Sequence, residues 1–254
     1  VSGLTSLANL YCRSNNLTSL DVSGLTSLTY LYCNNNSITS LDVSGLTALI
    51  QLSCNNNSIT SLDVSGLTSL TYLYCNNNSI TSLDVSGATS LTYLYCHNNS
   101  LTGLLDVSGA TSLTYLYCHN NSLTGLLDVS GATSLTHLRC HNNSLTSLDV
   151  SGITTLGEMD CQNNSLTSIT ATGFDGAWFH GYGHHQGMKF QGNDLLTDAV
   201  YSMLDQMITA NPVTTVELDG NPCEINNVLQ DGVTYTAAQL SALATSKSLT
   251  LILN

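Results

Sequence analysis

Charged residues are scarce in this sequence of 254 residues, and Lys, Arg, Asp and Glu together make up only 8% of it. Four basic residues stand against 17 acidic ones, which gives a formal net charge of −13. Nucleic acids and anionic membrane surfaces bind through clustered Lys and Arg. The sequence therefore argues against both as partners and favours cations or a basic surface.

Long apolar runs are also missing, although 42% of the residues are hydrophobic and can form a sizeable core. No run approaches the ~18 apolar residues that a membrane-spanning helix needs, so we expect no membrane insertion. A signal peptide is not recognisable either. The first residues, VSGLTSL, begin within a repeat, which we interpret as a processed or truncated N-terminus.

Proline and tryptophan are rare, with two and one residues, whereas cysteine is frequent and regularly placed. Successive cysteines are separated by steps of 21, 21, 21, 21, 22, 22 and 21 residues. A fixed period in the twenties predicts a solenoid, in which each repeat forms one coil. The periodic cysteines, which number coils 1 to 8 below, are Cys12, Cys33, Cys54, Cys75, Cys96, Cys118, Cys140 and Cys161.

Each repeat follows the pattern L-x-x-L-x-C-x-x-N-x-L, as in residues 28–45 (LTYLYCNNNSITSLDVSG), and the L-x-x-L-x-L spacing returns ten residues later. The chain resembles bacterial leucine-rich repeat proteins with nested LxxLxCxxNxLxxLDV half-repeats. The resemblance implies a right-handed solenoid with one parallel strand per coil on its concave face. It also implies a short extended segment, rather than a helix, on the other side.

Three regions follow from the repeat pattern. Residues 1–169 contain eight mainly β repeats, and residues 170–187 form a transition loop rich in Gly, aromatic residues and His. Residues 188–254 are predicted to form α/β repeats that cap the open core, as the terminal units of solenoids do. An apolar stripe from Leu195 to Ile208 predicts one helix, and the final SLTLILN predicts a last strand.

The repeated cysteine occupies an inward position of the predicted strand, where a free thiol behaves as a small buried hydrophobe. Stacked coils lie roughly 4.8 Å apart, within disulfide reach, but parallel side chains in register would strain the torsion angle. We therefore expect reduced, buried thiols, with Cys223 outside the column. Asn36 and its equivalents resemble the asparagine ladder of the family, which implies that they satisfy backbone groups after the strand.

Side chains that alternate with the inward residues are expected on the concave face, and nine of the twelve tyrosines occupy these positions. Tyr beside Asn and His suits the recognition of a protein or glycan, although stacked side chains can also serve only to stabilise the repeats. The predicted ligand-binding residues are Tyr30, Tyr32, Tyr72, Tyr74, Tyr93, Tyr95, His97, Tyr115, Tyr117, His119, His137, Arg139 and His141.

An aspartate recurs once per repeat, as at Asp42, Asp63 and Asp84. Each carboxylate can accept a hydrogen bond from the following VSG turn, and a column of carboxylates can alternatively supply ligands to calcium. No other cofactor is expected. His180, His184 and His185 offer imidazole ligands for a transition metal, but we favour a loop that packs its own aromatic residues as the explanation of this segment.

These features predict a non-enzymatic binding or adhesion module that is secreted or on a cell surface. The alternative is a structural protein of an extracellular fibre or virion appendage. No nucleophile motif is evident, and a hydrolytic site of His137, Glu158 and Asp160 is the one enzymatic arrangement to consider. We also expect self-association through the uncapped N-terminal end, where apolar strand edges would be exposed.

Overall fold

The computed structural model describes residues 3–173, 188–193, 195, 214–217 and 249–252. The chain divides into two compact units, residues 1–123 and 124–254. The described part contains strands and turns and no helix. The predicted helices, the three histidines of the transition loop and Cys223 lie outside the described residues, and the predicted division into three regions stays a prediction.

The first unit has one short strand per coil in a parallel sheet, and each strand pairs with the strand of the next coil. The strands of this sheet are β1 (Asn9–Tyr11), β2 (Tyr30–Tyr32), β3 (Gln51–Ser53), β5 (Tyr72–Tyr74), β7 (Tyr93–Tyr95) and β9 (Tyr115–Tyr117). A second layer contains the short strands β4 (Leu62–Asp63), β6 (Leu83–Asp84) and β8 (Thr102–Gly103), and the start of β10 (Ser122–Asp128). Here β4 pairs with β6, and β8 pairs with β10.

The second unit repeats this arrangement. Its longer sheet contains β11 (His137–Arg139), β13 (Glu158–Asp160), β15 (Met188–Lys189), β16 (Thr214–Glu217) and β17 (Leu249–Ile252), all parallel. Its other sheet contains β10, β12 (Ser144–Asp149) and β14 (Ser168–Thr170). The last three strands of the longer sheet fall where the sequence predicts that the repeat frame resumes. The predicted parallel β solenoid, with extended segments on its second side, is confirmed.

The core lies between the two strand layers of each coil and contains the inward leucines, isoleucines, valines and cysteines. The cysteines of coils 2 to 8 are fully buried and all eight are free, while Cys12 in coil 1 is half-buried. Burial raises the pKa of Cys33 and of Cys75 to about 12, so these thiols are protonated and unreactive. The prediction of buried thiols without disulfides is confirmed for coils 2 to 8, while Cys12 is only half-buried because coil 1 has no coil described before it.

Asparagine side chains satisfy the backbone where each strand ends. In coil 4, the Asn78 Nδ2 donates to the carbonyl oxygens of Cys75 at 3.0 Å and Cys54 at 3.1 Å. Its Oδ1 accepts from the backbone N–H of Ile59 at 2.9 Å. The same residue thus ties its own coil to the preceding one, and Asn193 makes the equivalent bonds beyond coil 8. The predicted structural role of this inner asparagine column is confirmed.

A second asparagine column, which the sequence reasoning missed, lies one residue earlier. Its members adopt positive φ angles between 52° and 56°, a left-handed conformation that Asn tolerates better than most residues. Their amides also bond from coil to coil, as in Asn77 Nδ2 to Asn56 Oδ1 at 2.7 Å. The outer column consists of Asn35, Asn56, Asn77, Asn98, Asn120, Asn142 and Asn163, with Ser14 at the same position of coil 1.

The repeated aspartates cap turns. Asp63 Oδ1 accepts from the Ser65 backbone N–H at 2.9 Å and from the Ser65 hydroxyl at 2.7 Å. These hydrogen bonds lower the pKa of Asp63, and the side-chain and backbone hydrogen bonds of the equivalent serines do the same for Asp42 and Asp84. The turn-capping interpretation is confirmed, and calcium binding stays a prediction.

Candidate functional site

The outward side chains of the longer sheet in unit 1 form a surface that we call the tyrosine face. In β2, β5, β7 and β9 the sequence YLY places a fully buried leucine between two half-buried tyrosines. This alternation is the two-residue period of a strand with one buried face. The tyrosine face contains Tyr11, Tyr30, Tyr32, Tyr72, Tyr74, Tyr93, Tyr95, Tyr115 and Tyr117, with His97 and His119 in the next column.

Rings of successive coils stack on one another. The ring centroids of Tyr93 and Tyr115 are 4.6 Å apart with an interplanar angle of 9°, and those of Tyr95 and Tyr117 are 4.5 Å apart at 11°. His97 and His119 stack at 4.4 Å and 9°. Each of these rings therefore has a flat face covered by its stacking partner. The ring edges and polar tips stay available for contacts with a partner.

Packing in the columns also affects ionisation. Burial, followed by the neighbouring tyrosines Tyr117 and Tyr74, raises the pKa of Tyr95. The pKa of Tyr93 is raised in the same way, first by burial and then by Tyr115. The Tyr93 and Tyr95 phenols are consequently neutral donors and acceptors throughout the physiological range.

Coil 3 interrupts both tyrosine columns. Gln51 and Ser53 stand where the flanking coils have tyrosines, and Ser53 is only 6% exposed. The Gln51 side-chain amide donates to the Ser53 hydroxyl at 3.3 Å. Next to this break, Tyr74 meets Tyr95 edge-on at 81° instead of stacking. The tyrosine face is therefore not uniform, because coil 3 carries no tyrosine.

The corresponding surface of unit 2, formed by β11, β13 and β15, is charged instead of aromatic, and we call it the charged patch. The Arg139 Nε lies 2.5 Å from Glu158 Oε1, and the His141 Nδ1 lies 3.4 Å from Asp160 Oδ2. Asp160 is 8% exposed and also accepts from the Gln162 side-chain amide at 2.9 Å. The four charged or titratable residues are thus paired with one another.

Burial lowers the pKa of His141, and the Asp160 carboxylate partly opposes this effect. Burial likewise lowers the pKa of His137, whose Nδ1 is 2.8 Å from the Thr136 hydroxyl. Both imidazoles are therefore neutral at pH 7. The structure brings His137, Glu158 and Asp160 onto one sheet, but Glu158 and Asp160 are engaged by Arg139, His141 and Gln162.

Within residues 3–173 and the described positions beyond them, no group of three or more His, Cys, Asp or Glu side chains is arranged to hold a metal ion. The same residues include no helix with the length and hydrophobicity needed to cross a bilayer.

Sequence comparison identifies the repeat. A family profile described as "Leucine Rich repeats (2 copies)" matches residues 5–46 and again residues 47–87. The functional domain of InlJ from Listeria monocytogenes, which includes a cysteine ladder, is 32% identical with a TM-score of 0.56. The match covers 88% of this chain and 51% of that one. The chain is a leucine-rich repeat protein of the bacterial type.

Two further leucine-rich repeat structures share the fold. YopM, a leucine-rich effector protein from Yersinia pestis, is 21% identical with a TM-score of 0.60, and the match covers 84% of this chain and 55% of YopM. The ectodomain of the receptor kinase GASSHO1/SCHENGEN3 from Arabidopsis thaliana, in complex with Casparian strip integrity factor 2, is 17% identical with a TM-score of 0.56. That match covers 97% of this chain and 35% of the ectodomain.

This leucine-rich repeat chain spans about half the length of the InlJ functional domain and of the YopM chain. A search of curated protein sequences finds no significant match. Leucine-rich repeat folds of this kind are typically protein-binding or adhesion modules, and a binding role is consistent with the fold found here. The cysteine column of this chain corresponds in kind to the cysteine ladder of the InlJ domain.

Proposed function

We propose that this chain is a non-enzymatic binding module that recognises a protein partner through the tyrosine face. The observation that carries the proposal is the pair of stacked tyrosine columns, in which half-buried rings are held by their neighbours. Rigid aromatic side chains with a polar tip provide a large contact area at a small entropic cost. Repeated tyrosines in register would give a partner many similar contacts.

A protein is favoured over a glycan because of how the rings are presented. The interplanar angles of 9° and 11° mean that Tyr93, Tyr95, Tyr115 and Tyr117 cover one another's faces. A sugar ring packs best on an exposed flat face, whereas ring edges carry positive charge and suit edge-to-face contacts with aromatic side chains of a partner. The phenol groups then supply hydrogen bonds at the ring tips.

Charge supports a basic partner. The excess of 17 acidic over four basic residues creates a negative field that accelerates association with a positive surface. Arg139 and Glu158 of the charged patch neutralise each other, so we assign this patch a role in selectivity and not in the overall attraction.

The test uses two probes, a phage-displayed library of random peptides and a glycan array. Peptides enriched on the parent protein are then measured against a variant with Tyr93, Tyr95, Tyr115 and Tyr117 changed to Ser. We expect at least about tenfold weaker binding, because each lost ring removes a buried aromatic contact. A matched variant with the same four residues changed to Phe keeps the rings and separates the ring contribution from that of the hydroxyl groups.

Both variants should keep the far-ultraviolet circular dichroism of the parent, since the tyrosines lie outside the core. Binding to glycans alone would show that the partner class is wrong. Equal binding by the parent and the Ser variant would remove the tyrosine face as the site and leave the structural alternative, in which the columns only stabilise the coils. An extracellular location, calcium binding and self-association through the N-terminal end stay predictions.

A further inference from the structure

The second strand layer of unit 1 is interrupted between coils 4 and 5. The Thr102 backbone N–H donates to the Thr81 carbonyl at 3.2 Å. Beyond this bond, no backbone hydrogen bond within the described residues joins 82–84 to 103–105. The backbone segments of coils 4 and 5 approach again at Gly109, where an added Cβ would lie 2.5 Å from the Ser86 carbonyl oxygen. The backbones therefore separate and rejoin, leaving a gap.

The gap coincides with the first of the two 22-residue steps in the repeat. Coil 5 reads LTGLLDV where coil 4 reads ITSLDV, so it has one residue more. Gly103 adopts a φ of 70° and the following Leu104 is 71% exposed. The extra residue thus bends the chain outwards, away from β6.

The displacement uncovers a core position on the other side of the gap. Leu83 is half-exposed, whereas the leucines at the same position of coils 2, 3, 5, 6 and 7 are at most 5% exposed. These buried equivalents are Leu41, Leu62, Leu105, Leu127 and Leu148. An apolar surface is therefore open in coil 4 that is closed in the coils on either side of it.

The resulting groove has a volume of about 160 Å³. An apolar cavity of about 150 Å³ is large enough to bind a benzene-sized group, so this groove accepts one side chain of leucine or phenylalanine size. Its lining consists of Ser82, Leu83, Asp84, Leu101, Thr102, Leu104, Leu105 and Leu123. A shallower depression of about 290 Å³ shares Ser82 and Asp84 with it and adds the carboxylate of Asp63.

The charges around the groove are of one sign. Asp63 and Asp84 are exposed, and each uses its Oδ1 for the serine two residues later. The one Lys or Arg residue among positions 1–123 is Arg13. A ligand that fills the apolar groove would therefore gain further binding energy from basic groups beside it.

We propose that this groove docks a basic peptide segment, which inserts one leucine- or phenylalanine-sized side chain against Leu83 and places flanking Lys or Arg residues beside Asp63 and Asp84. The site is separate from the tyrosine face and does not depend on its function. The apolar side chain of the ligand is specified by the gap in the strand layer and by the uncovered Leu83. Its basic residues are specified by the adjacent carboxylates.

The test measures fluorescence anisotropy with three labelled peptides at low salt. The probe is acetyl-Lys-Lys-Phe-Lys-Lys-amide, one comparison peptide has Ala in place of Phe, and the other has Glu in place of every Lys. We expect the Phe peptide to bind the parent at least about tenfold more tightly than the Ala peptide, because a buried aromatic side chain is lost. The Glu peptide should not bind.

The decisive variant closes the gap by deleting Leu104 and changing Gly103 to Ser, which restores the 21-residue coil. The same change at Gly125 and Leu126, in the other 22-residue coil, is the matched control. Closing the gap should abolish the preference for Phe over Ala, while the control keeps it. A Leu83→Phe variant, which fills the groove without altering the backbone, should have the same effect if the deletion impairs folding.

Charge is tested by the double variant Asp63→Asn and Asp84→Asn, which should bind both Lys peptides more weakly and with less dependence on salt. The proposal fails if the Glu peptide binds as well as the Lys peptide. It also fails if the Phe preference survives in both the deletion and the Leu83→Phe variants. Dimers in sedimentation velocity that disappear when the gap is closed would identify a second copy as the occupant and overturn the proposal.

Discussion

Replacing Asn78 by Ala should destabilise the protein much more than replacing its neighbour Asn77 by Gly. Asn78 belongs to the inner column and bonds the Ile59 N–H and the Cys54 and Cys75 carbonyls at 2.9–3.1 Å. Ile59 and both cysteines are fully buried, so water cannot replace the amide. The Cys54 and Cys75 carbonyls each keep a second amide donor, from Asn57 and Asn99, but the Ile59 N–H loses its partner. A buried backbone group without a partner costs about 1–3 kcal/mol.

Asn77 is the matched control because it also makes a coil-to-coil amide bond, at 2.7 Å to Asn56. Its bond lies at the exposed surface, where water substitutes for the lost partner, and Gly accepts the φ of 55° without strain. The cost should be at most about 1 kcal/mol. The two variants thus separate a buried role from an exposed one at adjacent positions.

The assay is urea unfolding followed by circular dichroism. With a cost of about 2 kcal/mol and a slope of about 3 kcal/mol per molar urea, Asn78→Ala should lower the midpoint by about 0.7 M, and Asn77→Gly should lower it by about 0.3 M or less. If both variants shift the midpoint equally, the inner amides are not what holds neighbouring coils together, and the reasoning about unsatisfied backbone groups is wrong.

Three further outcomes follow from the same structure. In a Cys223→Ser background, a thiol reagent should label at most one of the eight column cysteines in native protein and all eight after denaturation, since burial protects them; full labelling of native protein would contradict this. Gly87→Ala should cost about 1–3 kcal/mol, because its Cβ would lie 1.8 Å from the Ser65 carbonyl oxygen, whereas Gly66→Ala meets nothing within 4 Å and should be neutral in the same unfolding assay. Burial lowers the pKa of His141 in the folded protein. The free energy of unfolding should therefore be largest above the pKa of histidine in the unfolded chain, near 6.5, and should fall as the pH drops below it. A His141→Gln variant should show a smaller fall between pH 7.5 and pH 5.5.

Much of this fold is readable from the repeat. The steps between cysteines determine the coil length, the alternation of YLY determines which residues face inwards, and the Asp before each VSG determines the turn. Each of these is a local pattern with a local physical cause, and each repetition confirms it. The parallel strands, buried thiols and inner asparagine ladder followed from these patterns.

Other features depend on the relation between neighbouring coils, which no single repeat contains. The outer asparagine column was missed, although NNN in each repeat offers Asn at the position before the inner one, and Asn tolerates a positive φ. The burial of Ser53 arises because its neighbours on both sides are tyrosines. The groove beside Leu83 arises where a 21-residue coil meets a 22-residue coil, so its shape follows from packing and not from either sequence alone.

The central claim is that partners contact the tyrosine face, and its most direct test is a titration followed by nuclear magnetic resonance. The protein would carry ¹³C-labelled tyrosine, and the ligand would be a peptide selected on the parent protein. Nine of the twelve tyrosines lie on the tyrosine face. The proposal predicts shift changes for Tyr93, Tyr95 and their stacked neighbours. Saturable binding that leaves all nine face tyrosines unshifted would contradict it.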